Sequence, residues 1–179
     1  MKIISGIYKG KNIELPDKSI TRPTMNRIKE SLFATINDYL KNAVVLDLFG
    51  GSGALAFEAL SNGAAYAYIV DNTTINIIKK NIISLKVGNK CKLIKSDALL
   101  QLKIFEKENI KFDIIFLDPP YSETLLDKCL ELISDINVLT KNGIIICEHN
   151  IKINNSNYSV IKEKKYGQKY ITILNKNVD

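Results

Sequence analysis

Asp118-Pro119-Pro120-Tyr121 sets an acceptor, two prolines and an aromatic ring directly after the apolar run Phe112-Asp113-Ile114-Ile115-Phe116-Leu117. Consecutive prolines cannot continue a parallel strand, and Pro120 biases Pro119 toward extended backbone. The expected result is a stiff loop in which the Asp118 carboxylate and the Pro119 carbonyl converge on one point, with Tyr121 beside them to stack on a flat ring. Such a loop suits an exocyclic amino group of a nucleic-acid base. The lone pair of that nitrogen is delocalised into the ring, so it attacks poorly until acceptors on its N–H bonds favour a pyramidal geometry. A sulfonium methyl is already activated, and in-line transfer to the amine needs orientation more than acid–base strength. An ordinary Asp is ionised at neutral pH and too weak a base to deprotonate the amine beforehand, so proton loss accompanies or follows transfer. Asp118, Pro119, Pro120 and Tyr121 are the candidate catalytic residues. A turn with a packed aromatic would use the same residue types, but open α/β sheets place ligands at the carboxyl ends of strands, where this motif falls.

A second constellation offers a place for the methyl donor. Val44-Val45-Leu46-Asp47-Leu48-Phe49-Gly50-Gly51-Ser52-Gly53 is an apolar strand running into a glycine-rich turn that opens a helix. Gly51-Ser52-Gly53-Ala54-Leu55-Ala56 satisfies the dinucleotide pattern G-x-G-x-x-A, a weak signal by itself, and the absence of a following Gly-Lys-Ser/Thr excludes a P-loop. Asp47 shifts the balance, because a carboxylate just before the turn attracts the cationic amino group of S-adenosylmethionine and repels a diphosphate. Asp71 ends the next apolar run, placed to accept from two ribose hydroxyls, and Asp97 follows the third, placed to accept from an adenine amino group. Each alone also reads as a solvated or helix-capping Asp. Three at successive strand ends are harder to explain that way. The candidate cofactor-binding residues of this stretch are Asp47, Phe49, Gly51, Ser52, Gly53, Asp71, Asn72, Asp97 and Ala98.

These residues need a scaffold, and the pattern predicts one. Strands are expected at 43–48, 66–70, 91–94, 112–117 and 144–147, alternating with helices at 54–61, 73–86, 98–108 and 124–134. Regular alternation implies parallel strands joined by right-handed crossovers, hence an α/β doubly wound sheet. Residues 157–174 add two β-like runs around Lys165-Tyr166-Gly167, an antiparallel closing hairpin. Ahead of the core, Ile3-Ile4-Ser5-Gly6 and Asn12-Ile13-Glu14-Leu15 straddle Lys9-Gly10-Lys11 as a small β-hairpin. Met25, Ile28, Leu32, Ile36 and Leu40 then recur at helical spacing as one amphipathic helix. The 179 residues read as a single domain, with 1–41 an N-terminal hairpin-plus-helix extension and 42–179 the catalytic core.

The net charge of +6 is unevenly spread. Residues 1–41 hold eight Lys/Arg against four Asp/Glu, residues 152–179 six against two, and the middle eleven against thirteen. Basic flanks around a near-neutral centre suit a core held against a polyanion, although a solvated lysine-rich surface would have the same composition. Cys91, Cys129 and Cys147 are an odd number at wide spacing in apolar or helical stretches, expected as reduced core residues. Neither a signal peptide nor a membrane-spanning run is apparent, so a soluble cytoplasmic protein is expected, a monomer by default, with no metal site.

With these residues in place the chain resembles the RsmD-type family of 16S rRNA (guanine-N2)-methyltransferases. Four blocks carry the resemblance: Ile4-Ser5-Gly6 with Lys9-Gly10-Lys11; Arg22-Pro23-Thr24 leading to Arg27, Lys29-Glu30 and Leu32-Phe33; Asp47 to Leu55 with Glu58-Ala59-Leu60-Ser61; and Asp118-Pro119-Pro120-Tyr121. Tyr166-Gly167 resembles a further element. The glycine turn and the Asp-Pro-Pro-Tyr loop are shared with many methyltransferases, whereas the Arg-Pro-Thr block is specific. The resemblance implies a Rossmann-like class I methyltransferase fold, with Asp47, Gly51 and Asp71 on S-adenosylmethionine, Asp97 at its adenine, and Asp118 to Tyr121 on guanine. It further implies that the segment from Arg22 to Arg27 lies over the methionine end of the cofactor or over RNA, which adds Thr24 and Arg27 to the cofactor candidates. Lys9, Lys11, Arg22, Lys164 and Lys165 are the candidate contacts to 16S rRNA or an assembling small ribosomal subunit. Two departures are visible: Gly50 stands where the family commonly has Ala, and the segment between Asp71 and Asn81 is about two residues short.

The nearest competing reading is an adenine-N6 DNA methyltransferase, since the proline loop suits any exocyclic amine. Such enzymes usually carry a separate sequence-reading domain, for which 179 residues leave little room. An NAD-dependent oxidoreductase would leave the proline loop without a task, and His149, read as a strand-end surface residue, is no convincing hydride-transfer acid. A silent RNA-binding protein would have no need of Asp118.

Overall fold

A computed structural model describes residues 1–16, 23–120, 123–150, 153 and 156–177, with the side chains of 23–25 and 123 excepted. The elements follow in the order α1 (Pro23–Thr35), α2 (Asn37–Leu40), β1 (Val44–Asp47), α3 (Ala54–Ser61), β2 (Tyr66–Asp71), α4 (Ile75–Leu85), β3 (Cys91–Lys95), α5 (Ala98–Lys107), β4 (Phe112–Leu117), α6 (Glu123–Asp135), β5 (Leu139–His149), β6 (Tyr158–Tyr166) and β7 (Lys169–Lys176). They form one seven-stranded sheet in the order β3-β2-β1-β4-β5-β7-β6. The first five strands pair in parallel, and β7 runs antiparallel between β5 and β6. From β1 the chain moves outward to β2 and β3, then crosses back to β4, so a crevice opens beyond the carboxyl ends of β1 and β4.

The period-two alternation of the strands explains why both faces are covered. Val45, Ile114, Phe116, Ile144, Ile146, Ile171 and Ile173 share one face with Leu32, Phe33 and Ile36 of the N-terminal helical segment and with α3. Leu46, Ile115, Leu117, Ile145 and Cys147 share the other with residues of α5 and α6. Strands buried on both faces read as nearly unbroken apolar runs, which is how they look in the sequence. All three cysteines are buried and free, as expected.

The N-terminal hairpin is present but short, an antiparallel bridge of Lys2 to Asn12 flanked by Ile3 N–H donating to Lys11 O at 2.9 Å and Ile13 N–H to Met1 O at 2.7 Å. Other parts of its backbone find partners on α3: Ile7 N–H donates to Ser61 O at 2.8 Å, Tyr8 N–H to Ser61 Oγ at 2.9 Å, and Ile4 N–H to Glu58 Oε1 at 2.9 Å. Gly6 permits that approach, with φ +77° and a position where a Cβ would lie 1.9 Å from Ser61 O. Two elements differ from the expectation. The helix expected through Leu40 breaks at Ile36, just after Thr35 Oγ1 donates back to Ser31 O at 2.8 Å, a bond that bends helices. Strand β5 begins five residues earlier than expected, because the polar Lys141-Asn142-Gly143 hides a section that joins β4 through a register shift between Phe112 and Ile114.

Candidate active site

Asp47 ends β1 with its side chain facing the same side of the sheet as its register partner Phe116. It is only 2% exposed, and its Oδ2 finds no hydrogen-bond partner among the described residues. Burial pushes its carboxyl up to about 7, the Ala56 N–H pulls it down, the Asp71 carboxylate pushes it up again, and the Phe49 N–H opposes both. An unpartnered carboxylate oxygen in the interior is costly and calls for a cation or donor. The turn beyond it is shaped by Gly53, at φ +81° and with the Phe57 ring 2.4 Å from where a Cβ would stand, so only glycine fits. At Gly50 a Cβ would meet Ile69 Cγ2 at 2.6 Å, so the methyl groups of this chain fill the room an Ala would need.

Asp71 holds the turn from the neighbouring strand. Its Oδ2 accepts from Gly51 N–H at 2.9 Å, and its Oδ1 from Thr73 N–H at 2.7 Å, Thr74 N–H at 2.8 Å and Thr73 Oγ1 at 3.1 Å. Burial would raise its carboxyl, but the N–H groups of Thr74, Gly51 and Thr73 outweigh it and hold the group below the usual carboxylate range. Asn72 beside it is exposed. Asp97 caps α5, its Oδ1 accepting from Leu100 N–H at 3.0 Å, and a carboxylate so engaged has its second oxygen to offer. Ala98 is buried behind it, as is Ser52 in the turn, while Phe49 is half-buried. Sequence reasoning missed Asn81, a buried amide on α4. Its Nδ2 donates to Ser52 O and to Glu14 O at 2.9 Å each, and its Oδ1 accepts from Glu14 N–H at 2.8 Å, stitching the glycine turn to the N-terminal segment.

Asp118 follows β4 at the other wall of the crevice. Phe116 pairs with Ile146 and Leu117 with Cys147, so continuing the parallel register sets Asp118 beside Glu148 on the face that carries Asp47. The residue is exposed by surface area, yet enough protein surrounds its carboxyl to strip it of solvent. That desolvation, followed by the Glu148 carboxylate, pushes its carboxyl up to about 7; Lys169 opposes the shift and Asp47 adds to it. The expectation of an ordinary, fully ionised Asp therefore changes: this carboxyl is poised near neutrality and takes up a proton more readily. Pro119 and Pro120 adjoin it as expected, and Tyr121 lies outside the described residues. Glu148 and Lys169, an ion pair joining β5 to β7, were not singled out by sequence reasoning. His149 is also corrected. It is buried, bonded to Thr172 Oγ1 at 2.8 Å and stacked 5.5 Å from the Tyr170 ring.

The basic candidates are dispersed around this crevice. Lys9, Lys11 and Arg27 are exposed, whereas Arg22 and the side chain of Thr24 lie outside the described residues. Lys165 stands over the Tyr170 ring, 5.1 Å from its centroid. Lys164 points to the opposite face, where its Nζ donates to Ser31 Oγ on α1 at 2.7 Å beside the Tyr166 hydroxyl at 2.8 Å. Among the described residues no group of three His, Cys, Asp or Glu side chains is arranged to hold a metal ion, and no helix is long and apolar enough to cross a membrane.

A parallel sheet extended by an antiparallel β7 inserted before β6, with a glycine turn after β1 and a carboxylate at the end of β2, defines a class I methyltransferase. The model of the family described as conserved hypothetical protein 95 matches residues 1–175, and the chain belongs to that family, the RsmD-type methyltransferases. The ribosomal RNA small subunit methyltransferase D of Buchnera aphidicola subsp. Acyrthosiphon pisum is 37% identical over 167 residues, 90% of this chain and 86% of that protein. The solved structure of yhhF from Escherichia coli superposes with a TM-score of 0.88 at 30% identity, covering 100% of this chain and 99% of that one. The 16S rRNA N2 G1207 methyltransferase RsmC of T. thermophilus, solved with AdoMet and guanosine, shares the fold at TM-score 0.69 and 17% identity over 90% of this chain and 45% of that one.

Proposed function

We propose that this chain methylates the exocyclic N2 amine of a guanine in 16S rRNA, free or within an assembling small ribosomal subunit, and acts as a cytoplasmic monomer. The observation that carries the reading is the opposition of two perturbed carboxyls, Asp47 and Asp118, on one face of the β1/β4 crevice. The orphaned Oδ2 of Asp47 fits the α-ammonium of S-adenosylmethionine, and at Gly51 the space where a Cβ would stand is open but for Phe49 O at 3.9 Å, which lets a ligand approach the backbone of the turn. When bound, that cofactor supplies a sulfonium methyl already activated for attack. Asp97 and Ala98 would meet the adenine, Asp71 and Asn72 the ribose side, and Thr24 and Arg27 the methionine end. Asp71 does so while also fixing Gly51.

On the acceptor side, Asp118 and the Pro119 carbonyl hold the two amine hydrogens, with Pro120 stiffening the loop and Tyr121 stacking on the base. Methyl transfer would form the N–C bond as the methyl–sulfur bond breaks and a neutral thioether leaves; the nitrogen would then be strongly acidic, and its proton would pass to the Asp118 carboxylate. A carboxyl titrating near 7 accepts it better than an ordinary one. Lys9, Lys11, Arg22 and Lys165 supply non-specific attraction to phosphate. Lys164, tied to Ser31, adds charge from within the fold. The Buchnera relative, a ribosomal RNA small subunit methyltransferase, favours ribosomal RNA over DNA adenine.

Labelled S-adenosylmethionine incubated with undermethylated small subunits, naked rRNA or DNA, followed by nucleoside analysis, tests the reading. N2-methylguanosine in rRNA is expected; N6-methyladenine in DNA would overturn it. Asp118→Ala should abolish transfer while cofactor binding, measured calorimetrically, stays largely intact.

A further inference from the structure

We propose that Glu148 and Lys169 read the Watson–Crick edge of the target guanine, Glu148 accepting from N1–H and Lys169 donating to O6. The proposal deepens the guanine-N2 reading and rests on it. An Asp-Pro-Pro loop recognises only an amine, and adenine, cytosine and guanine each have one. What distinguishes guanine is the rest of that edge, which presents donor, donor and acceptor at N2, N1 and O6. A matching protein surface must present acceptor, acceptor and donor in the same order. The sheet order β4-β5-β7 carries Asp118, Glu148 and Lys169 in that sequence. All three stand on one face: Asp118 follows the Phe116 row, Glu148 is two residues beyond Ile146, and Lys169 is two before Ile171, the register partner of Glu148. Glu148 and Lys169 are ion-paired, and the β4/β5 register continued by one residue sets Asp118 next to Glu148.

The same array rejects the other bases. Adenine and cytosine would set a ring-nitrogen lone pair against the Glu148 carboxylate, and a site built to accept a hydrogen bond discriminates strongly against an analogue that cannot donate it. The ion pair is not needed to hold the strands, since β5 and β7 already pair from Ile144 to His149. The turn that carries Lys169 is itself anchored, through the Tyr166 hydroxyl on Ser31 of α1.

The test maps the guanine methylated by the wild-type protein and replaces it with 2-aminopurine in a ligated RNA. That base keeps the 2-amino group but has an acceptor at N1 and no O6. Single-turnover rates on the two RNAs give a selectivity ratio in which any misfolded fraction cancels. Glu148→Gln should slow guanine and assist 2-aminopurine, since an amide can donate to N1, and lower the ratio at least tenfold. Lys169→Met acts on both RNAs through Asp118 but costs guanine alone the bond to O6, so it should also lower the ratio at least tenfold. A change of less than tenfold in the ratio for either variant, or equal losses on both RNAs, overturns the proposal in favour of a purely structural ion pair. Wild-type protein that yields no N2-methylguanosine overturns the guanine reading first, and this inference falls with it.

Discussion

Replacing Asp47 by Asn separates what the cofactor site needs from what the fold needs. In the unfolded chain this carboxyl titrates near 3.8; in the folded protein burial holds it up at about 7. Between those values the folded state binds more protons than the unfolded one, so the contribution is favourable in acid and is lost as pH rises through the window. A difference of three pKa units corresponds to about 4 kcal/mol. Asn has the same shape, keeps an oxygen for the Ala56 and Phe49 N–H groups and carries no charge. Its amide inherits the unpartnered place of Oδ2, at a cost of about 1–3 kcal/mol. The net expectation for Asp47→Asn without cofactor is a gain of about 1–3 kcal/mol at pH 8, or roughly 2–10 °C in Tm, turning into a loss of about 1–3 kcal/mol near pH 4, where the wild-type charge penalty has gone and the cost of the amide remains. Affinity for S-adenosylmethionine should fall at least tenfold, because a hydrogen bond to a charged group contributes about 1.5–3 kcal/mol. Calorimetric melts at pH 4, 6 and 8 with a binding titration at pH 8 measure both quantities. A variant less stable than wild type at pH 8, or one that binds the cofactor as tightly, would refute the reasoning.

Lys29→Met leaves Glu58, 0% exposed, without the ammonium 2.9 Å away, and breaking a buried pair from one side costs about 3–5 kcal/mol. Urea unfolding should show it, and a loss under about 1 kcal/mol would mean that the pair is not buried in solution. Gly6→Ala puts a side chain at φ +77° against Ser61 O, so a loss exceeding about 1 kcal/mol is expected, with faster proteolysis within residues 1–16; unchanged protection would place that segment elsewhere. Single-turnover methyl transfer should climb with pH through about 7 as Asp118 ionises between Glu148, Lys169 and Asp47, and a limb centred below pH 5 would show that its proton is not the one governing the rate.

Much of the scaffold was legible because a doubly wound sheet repeats one local signal, an apolar run followed by a helix. Asp47, Asp71, Asp97 and Asp118 were legible for the same reason, as carboxylates at the ends of such runs. Glu148 and Lys169 were not. A single acid in an apolar strand and a lysine after a turn look like solvated residues, and only the antiparallel pairing of β5 with β7 brings them together. Alternation within β6 could have told that Lys164 and Lys165 face opposite sides, but which side receives α1 is a tertiary fact. The N-terminal hairpin was legible as well, but its docking on Ser61 and Glu58 of α3 was not, because that contact joins segments more than fifty residues apart.

The bonds from Lys164 and Tyr166 to Ser31 span 133 and 135 residues. During synthesis α1 emerges early, with an apolar face that has nothing to meet until β1 and β4, and then the β6/β7 hairpin, have left the ribosome. Contacts of such long sequence separation form late, and a partly made chain with uncovered apolar surface invites association. The wall of the crevice that carries Lys169 is thus among the last parts to close.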